Sequence, residues 1–300
     1  MSRLKILLTG AGGQVGWELE RALAPLGDVI ATDHHVLDLA QPDRIREFVR
    51  ELKPTLIVNP AAYTAVDKAE QEPELAYAIN ATAPQILAEE AKRLGCGIVH
   101  YSTDYVYDGS KNAPLVETDV TNPLNVYGAS KLAGDQAVAA SGADYLVLRT
   151  SWVYGARGAN FMRTILRLAQ EREELKIVAD QIGAPTWSRM IAEATAAIVA
   201  QCHGPRGGGM AAVKGVYHLT AAGQTSWHGF TEAILELSRE LPPFGGRKLQ
   251  RVLPIPTSEY PLPAKRSPYS VLSNQRLLDT FGLQLPDWRD SLRQVVASFA

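Results

Sequence analysis

Only two cysteines occur in the 300 residues, Cys96 and Cys202, and they match no CxxC or zinc-ligand spacing. That speaks against a disulfide framework or a cysteine metal site, and both are expected as buried, reduced thiols. An excess of one charge is missing too: 30 Lys and Arg against 32 Asp and Glu leave a net charge of −2. Such a balance gives no bulk electrostatic reason to bind nucleic acid or an anionic membrane. No apolar run is long enough to span a bilayer. Met1-Ser2-Arg3-Leu4-Lys5 leads straight into a strand, without the layout of a signal peptide. Internal repeats and low-complexity tracts are also missing. The expected compartment is the cytoplasm.

What is present, 46% hydrophobic and 21% charged residues, is the make-up of an ordinary soluble globular protein. The length allows a large core and one or two domains. Leu4 to Thr9 is a short β-compatible run that ends in Gly10, Gly12, Gly13 and Gly16, with Gln14 and Val15 opening an amphipathic helix. Strand, glycine turn and helix form the context that a dinucleotide fingerprint requires. Gly10 permits the tight turn, Gly12 and Gly13 let the backbone approach a pyrophosphate, and Gly16 lets helix and strand pack closely. The second strand, Asp28 to Thr32, ends at Asp33, which is placed to bind an adenosine ribose or to serve as a plain strand-end turn residue. Asp38 and Leu39 are placed to frame an adenine. A third strand, Thr55 to Asn59, leads into Ala61, Ala62 and Tyr63, a loop expected to touch cofactor or substrate.

Further strands are expected at Gly97–Ser102 and Asp144–Arg149, with a helix near Glu74–Asn80 that breaks before Pro84 and another over Pro84–Leu94. Past Gly155 the pattern predicts helices over Phe161–Arg172, Arg189–Cys202, Trp227–Leu241, Asn274–Phe281 and Trp288–Phe299. Short strands are expected at Leu175–Ala179 and Gly215–Leu219, a surface loop at Gly204–Gly209, and an extended proline-rich segment from Pro242 to Pro268. Strands alternating with helices predict an α/β fold built on a doubly wound parallel sheet.

The chemistry centres on Tyr127 and Lys131. Four residues apart on one helix, they share a face, and an ammonium beside a phenol is expected to lower its pKa toward the working pH. The pair then suits proton transfer to or from a carbonyl or alcohol oxygen. A second pair of the same spacing, Tyr107 and Lys111, runs through Asp108-Gly109-Ser110, turn chemistry that does not keep both side chains on one helical face. Ser102, Thr103 and Asp104 end the fourth strand, where hydroxyls either hold a substrate carbonyl or cap the next turn.

Taken in order, several separated blocks make the chain resemble the extended short-chain dehydrogenase/reductase family. They are Gly13–Leu19, Ala65–Glu70, His100–Val106, Asn125–Gly128, Arg149–Tyr154, Leu166–Ala169, Gln181–Thr186 and Leu285–Trp288. The narrower likeness is to members that reduce dTDP-linked 4-keto-6-deoxy sugars. The resemblance implies a Rossmann-type dinucleotide-binding domain over residues 1–155. A smaller α/β substrate domain would follow over 156–300, with about 180–220 packing back on the sheet. It implies hydride transfer from NADPH or NADH to the sugar C4, with Tyr127 as proton donor, Lys131 on the nicotinamide ribose and Thr103 on the reacting oxygen. Asp104, Tyr105 and Trp152 resemble sugar and pyrophosphate contacts; Trp152 is either an apolar wall for the sugar or a core residue. Gln181, Ala184, Pro185, Thr186 and Arg266 resemble nucleotide-sugar contacts. Pro60 and Ser267 depart from the family pattern. Arg189 and Ser298 stand where some members hold a bridging metal, so no metal is expected, and the chain is a monomer or homodimer. A non-catalytic dinucleotide-binding subunit and a nucleotide-sugar epimerase or dehydratase are the alternatives.

Overall fold

Strand β1 (Leu4–Leu8) divides its side chains between two cores, Ile6 and Leu8 on one side and Leu7 on the other. That period-two division marks a strand covered on both faces. The computed structural model describes residues 3–204, 208–241 and 244–299. Strands β2 (Gly27–Ala31), β3 (Leu56–Asn59), β4 (Gly97–Thr103) and β5 (Asp144–Thr150) follow, separated by α1 (Gln14–Leu23), α2 (Pro42–Leu52), the short α3 (Val66–Ala69) and α4 (Pro73–Tyr77), α5 (Ala83–Leu94) and α6 (Val126–Ala140). Beyond them lie β6 (Val153–Tyr154), α7 (Phe161–Glu171), β7 (Glu174–Val178), β8 (Ile182–Gly183), β9 (Thr186–Trp187) and α8 (Ser188–His203). Strand β10 (Gly215–His218), β11 (Thr225–Ser226), α9 (Trp227–Leu237), β12 (Arg251–Ile255), α10 (Gln275–Phe281) and α11 (Trp288–Ala297) complete the order.

The main sheet runs β2-β1-β3-β4-β5-β10, and every neighbouring pair is parallel. The chain leaves β1 toward β2 and then returns to β3 on the other side. In a doubly wound sheet that reversal opens a crevice at the strands' carboxyl ends, where ligands bind. The sixth strand comes from residues 215–218, and α8 packs on α1 through Ile191, Ala192, Leu19 and Leu23. A separate apolar cluster around Met162, Phe230, Trp288 and Val295 lies under the C-terminal elements. Both cysteines are buried and free. No helix among the described residues is long and apolar enough to cross a membrane.

Three local expectations are corrected. The helix does not break before Pro84: α4 continues through a π-helical turn at Ala78–Thr82 into α5. Pro84 sits in the first turn of α5, and the wider π turn accommodates the amide that proline lacks. The extended segment after Pro242 holds a strand, β12, parallel to β7. Pro254 lies within it, which an edge strand tolerates. Helix α9 ends at Leu237, where Ser238 Oγ donates to the Ile234 carbonyl, 2.7 Å, in competition with the next turn. Residues 205–207 of the expected glycine loop, and Pro242, lie outside the described residues.

Candidate active site

The glycine turn after β1 sits at the reversal point. Gly10 has φ +62°, and a Cβ there would lie 2.8 Å from Ala61 Cα, so only glycine brings β1 this close to the loop after β3. A Cβ on Gly16 would fall 2.1 Å from the Gly10 carbonyl oxygen, whereas one on Gly12 would meet nothing within 4 Å. Gly13 N donates to Gly10 O at 3.0 Å and Ala11 N to Thr32 O at 3.0 Å, which closes the turn against the end of β2. Gly13 caps α1 with no side-chain hydrogen bond, so the first amides of that helix are open to an anion. An uncapped helix start behind an open glycine lip fits a dinucleotide pyrophosphate. Gln14 is held by Asn160 Nδ2, 2.9 Å from its Oε1, and Val15 packs on the core.

At the end of β2, Asp33 Oδ1 accepts from His35 N (2.9 Å) and Val36 N (3.1 Å). The Val36 amide, then that of His35, holds this carboxyl below its usual range. Asp38 likewise accepts from Ala40 N and Gln41 Nε2, both at 2.9 Å, and Leu39 is buried in the core. Both carboxylates therefore cap their own turns. Ala61, Ala62 and Tyr63 border the crevice on its other side. Asn80, in the π turn, fastens that loop: its Oδ1 accepts from Tyr63 N (2.8 Å), and its Nδ2 donates to Tyr63 O (3.1 Å) and Ser130 Oγ (3.0 Å). The sequence carried no signal for Asn80, since nothing in a helical pattern marks a π turn. Tyr63 OH donates to Glu72 Oε2 at 2.7 Å.

Helix α6 starts at an Asn125 cap, whose Oδ1 accepts from Gly128 N at 2.8 Å; such a cap places Tyr127 in the first turn. Lys131, one turn on, is 2% exposed; its Nζ donates to the Tyr101 carbonyl (2.6 Å) and lies 3.5 Å from His100 Nε2. Burial lowers the Lys131 ammonium to about 8. Thr103 ends β4 with its Oγ1 donating to Asp104 Oδ1 (3.0 Å) and accepting from Tyr105 N (3.2 Å). The expected lowering of the Tyr127 phenol by Lys131 is not found. Burial pushes the Tyr127 hydroxyl up, against the Thr103 hydrogen bond, and the nearby charges acting on it are the carboxylates Asp104 and Asp135. The ammonium is turned to the β4 carbonyl instead. Asp104 is itself pushed up to about 6 by burial, opposed by hydrogen bonds from Ser270 and Thr103. Tyr105 packs edge-on against Tyr127, ring centres 5.3 Å apart. Tyr107 and Lys111 share no helix: Tyr107 OH accepts from Arg149 Nη1 (2.7 Å), and Lys111 pairs with Asp119 (2.6 Å).

Beside this cluster opens a cleft lined by Asp104, Tyr105, Trp152, Gln181, Trp227 and Arg266. Trp152 has φ +46°, a left-handed backbone that costs a non-glycine residue about 1–3 kcal/mol. Its indole stacks on Trp227 with ring centres 3.5 Å apart and planes 5° apart. On the other side, a Cβ on Gly183 would fall 2.4 Å from Trp152 Cε2. Both faces of Trp152 are thus covered, and the expected open wall for a sugar is not there. Gln181 Oε1 accepts from Trp227 Nε1 at 3.2 Å. Arg266 reaches across to Asp67 in a bidentate pair, 2.7 and 2.6 Å. Ala184, Pro185 and Thr186 lie behind the cleft as buried support: the Ala184 carbonyl accepts from Ser151 Oγ and Thr186 Oγ1, and Thr186 pairs with Val153 between β9 and β6. Arg189 pairs with Glu18 at 3.2 Å. Among the described residues no group of three or more His, Cys, Asp and Glu is gathered for a metal.

Comparison with known proteins gives one consistent likeness. Residues 4–300 match the family model described as the RmlD substrate binding domain. A dTDP-4-dehydrorhamnose reductase of Burkholderia thailandensis is 54% identical over 286 residues, covering 95% of this chain and 96% of that protein. Among solved structures, a dTDP-4-dehydrorhamnose reductase from Clostridium acetobutylicum superposes with a TM-score of 0.89 at 38% identity, covering 98% and 99% of the two chains. One from Bacillus anthracis, solved in complex with NADP, gives 0.88 at 35% identity, covering 99% and 100%.

Proposed function

The chain belongs to the RmlD substrate binding domain family, and from that membership we propose that it reduces the C4 ketone of dTDP-4-dehydrorhamnose to give dTDP-L-rhamnose. The observation that carries this reading is the packing of Tyr127, in the first turn of α6, edge-on against Tyr105, which follows Thr103 and Asp104 at the end of β4 and lines the Arg266 cleft. Bound NADPH or NADH supplies the hydride. Gly12 and the open first amides of α1 would hold the pyrophosphate, and Asp33 and the Ala61–Tyr63 loop would flank the adenosine and nicotinamide ends. An ammonium has three protons; Lys131 gives one to Tyr101 O, leaving another for a ribose hydroxyl.

Reduction calls for an acid, and burial keeps Tyr127 in that form. An alkoxide developing at C4 is a far stronger base than a phenolate, so the proton moves downhill once charge appears. Thr103, whose one hydroxyl proton rests on Asp104 Oδ1, would turn that proton to the same oxygen, an interaction that strengthens as negative charge builds. Arg266 takes the diphosphate, for which a planar guanidinium is suited. Residues 1–155 serve the dinucleotide and 156–300 mainly the sugar nucleotide, with about 180–220 returning to the sheet. The protein works in the cytoplasm.

The test is a spectrophotometric assay with the keto-sugar nucleotide and each nicotinamide. Stoichiometric oxidation of NADPH or NADH with formation of dTDP-L-rhamnose is expected. Turnover without net oxidation would instead mark an epimerase or dehydratase, and no turnover would remove the reading.

A further inference from the structure

Trp152 is one of two non-glycine residues with positive φ among those described, the other being Lys53 in a helix C-cap. Lys53 has an ordinary reason, since a left-handed residue ends many helices. Trp152 has none from its own segment: it lies with Ser151 in the two-residue link between β5 and β6. What holds it is tertiary. Trp227 covers one face of its indole at 3.5 Å, nearly parallel, and the Gly183 backbone closes on the other. Trp227 is itself fixed from three directions. It begins α9 behind a Ser226 cap, whose Oγ accepts from Gly229 N at 3.0 Å, its Nε1 donates to Gln181, and Phe161 packs on it at 4.6 Å. Trp152, Trp227 and Gln181 all line the cleft that holds Asp104 and Arg266.

We propose that Trp227 is a positioning residue for sugar-nucleotide binding: by stacking on Trp152 it locks that indole in its left-handed setting and turns an edge, not a face, toward the sugar. This rests on the reductase reading above. The Nε1 and Cζ2 side of the indole lies against Gly183, so what is left for the cleft is a thin apolar rim, which suits the methyl group of a deoxysugar. A freely rotating indole would offer either face or edge and bind more weakly, because ordering it would be charged against association.

Trp227→Leu keeps apolar bulk without an aromatic face, and Trp227→Phe keeps a smaller one. Two stacked indoles couple their transitions, so wild-type protein is expected to show a far-ultraviolet exciton couplet in circular dichroism, absent from both variants. Calorimetric titration with dTDP-L-rhamnose should show affinity weakened about tenfold in Trp227→Leu and about threefold in Trp227→Phe, the range of an aromatic pair. KM for the keto-sugar nucleotide should rise in parallel, with kcat and NADPH affinity nearly unchanged. Wild-type affinity for dTDP-L-rhamnose in Trp227→Leu, or a couplet that survives in it, overturns the proposal. If Trp227→Leu does not fold, unchanged affinity in Trp227→Phe overturns it instead. Wild-type protein that binds the product but reduces no ketone would fail the reductase reading and leave the positioning role standing. Wild-type protein that binds no product would end both.

Discussion

Burial, with the carboxylates Asp104 and Asp135 nearby, holds the Tyr127 hydroxyl above the usual phenol range, so it carries its proton at neutral pH. A reductase needs that form, so Tyr127→Phe is expected to cut turnover at least ~10²-fold, the usual size for a positioned acid. NADPH binding, followed by nucleotide fluorescence, should be almost unaffected; near-normal turnover would sink the assignment. In the proposed reaction Lys131 serves the cofactor side. With its ammonium lowered to about 8 in the free protein, NADPH affinity should fall as pH rises above that value, whereas a flat dissociation constant from pH 7 to 9.5 would contradict the ribose contact. Asp104 gives the sign test for stability. Its folded pKa, raised to about 6 by burial, exceeds the unfolded value, so its bound proton stabilises the fold fully below the unfolded pKa. That stabilisation is lost as pH rises through about 6. The difference in unfolding free energy between wild type and Asp104→Asn should therefore shift against wild type between pH 4 and 7, on the order of 3 kcal/mol. A difference independent of pH would mean that the carboxyl titrates normally.

Among the elements, α6 and the π turn before α5 are joined at a contact where a side chain does not fit. A Cβ on Gly134 would lie 2.1 Å from the Asn80 carbonyl oxygen. In an exposed helix, glycine to alanine gains about 1 kcal/mol; here the contact reverses the sign. Gly134→Ala should cost about 1–3 kcal/mol, the range for overpacking, read from urea unfolding, and a stabilised variant would refute the contact. The strand–glycine–helix order was legible in the sequence because it rests on local chemistry: a backbone angle and a spacing. The π turn was not legible. It comes from Asn80 bonding to Tyr63 and Ser130, seventeen and fifty residues away, and local periodicity contains neither partner. Strand β12 was missed for a related reason, since Arg251 to Ile255 is extended by its own composition but becomes a strand only by meeting β7.

On the scale of the molecule, the sequence pattern was enough for a parallel sheet but silent on how the far end of the chain meets the near one. The sequence points to Trp152 as a sugar wall or a core residue and to Arg266 as a nucleotide-sugar contact, but not to their partners, Trp227 and Asp67, because each contact joins residues 75 or 199 positions apart. The Asp67–Arg266 pair is the clearest tie across the cleft. Arg266→Ala should weaken dTDP binding by about 1.5–3 kcal/mol, the worth of a hydrogen bond to a charged group, measured by calorimetry. Equal affinity would mean that the guanidinium serves only to hold Asp67.

Strand β10 reaches the main sheet only after the chain has travelled some sixty residues past β5. Until 215–218 emerge from the ribosome, β5 carries a bare row of backbone donors and acceptors, and until α8 emerges, the apolar side of α1 has no cover. Unpaired edges of that kind invite pairing with other chains. A fragment ending at Gly155 should therefore clump when expressed alone, and the nascent protein has reason to depend on a holding chaperone for that stretch of its synthesis.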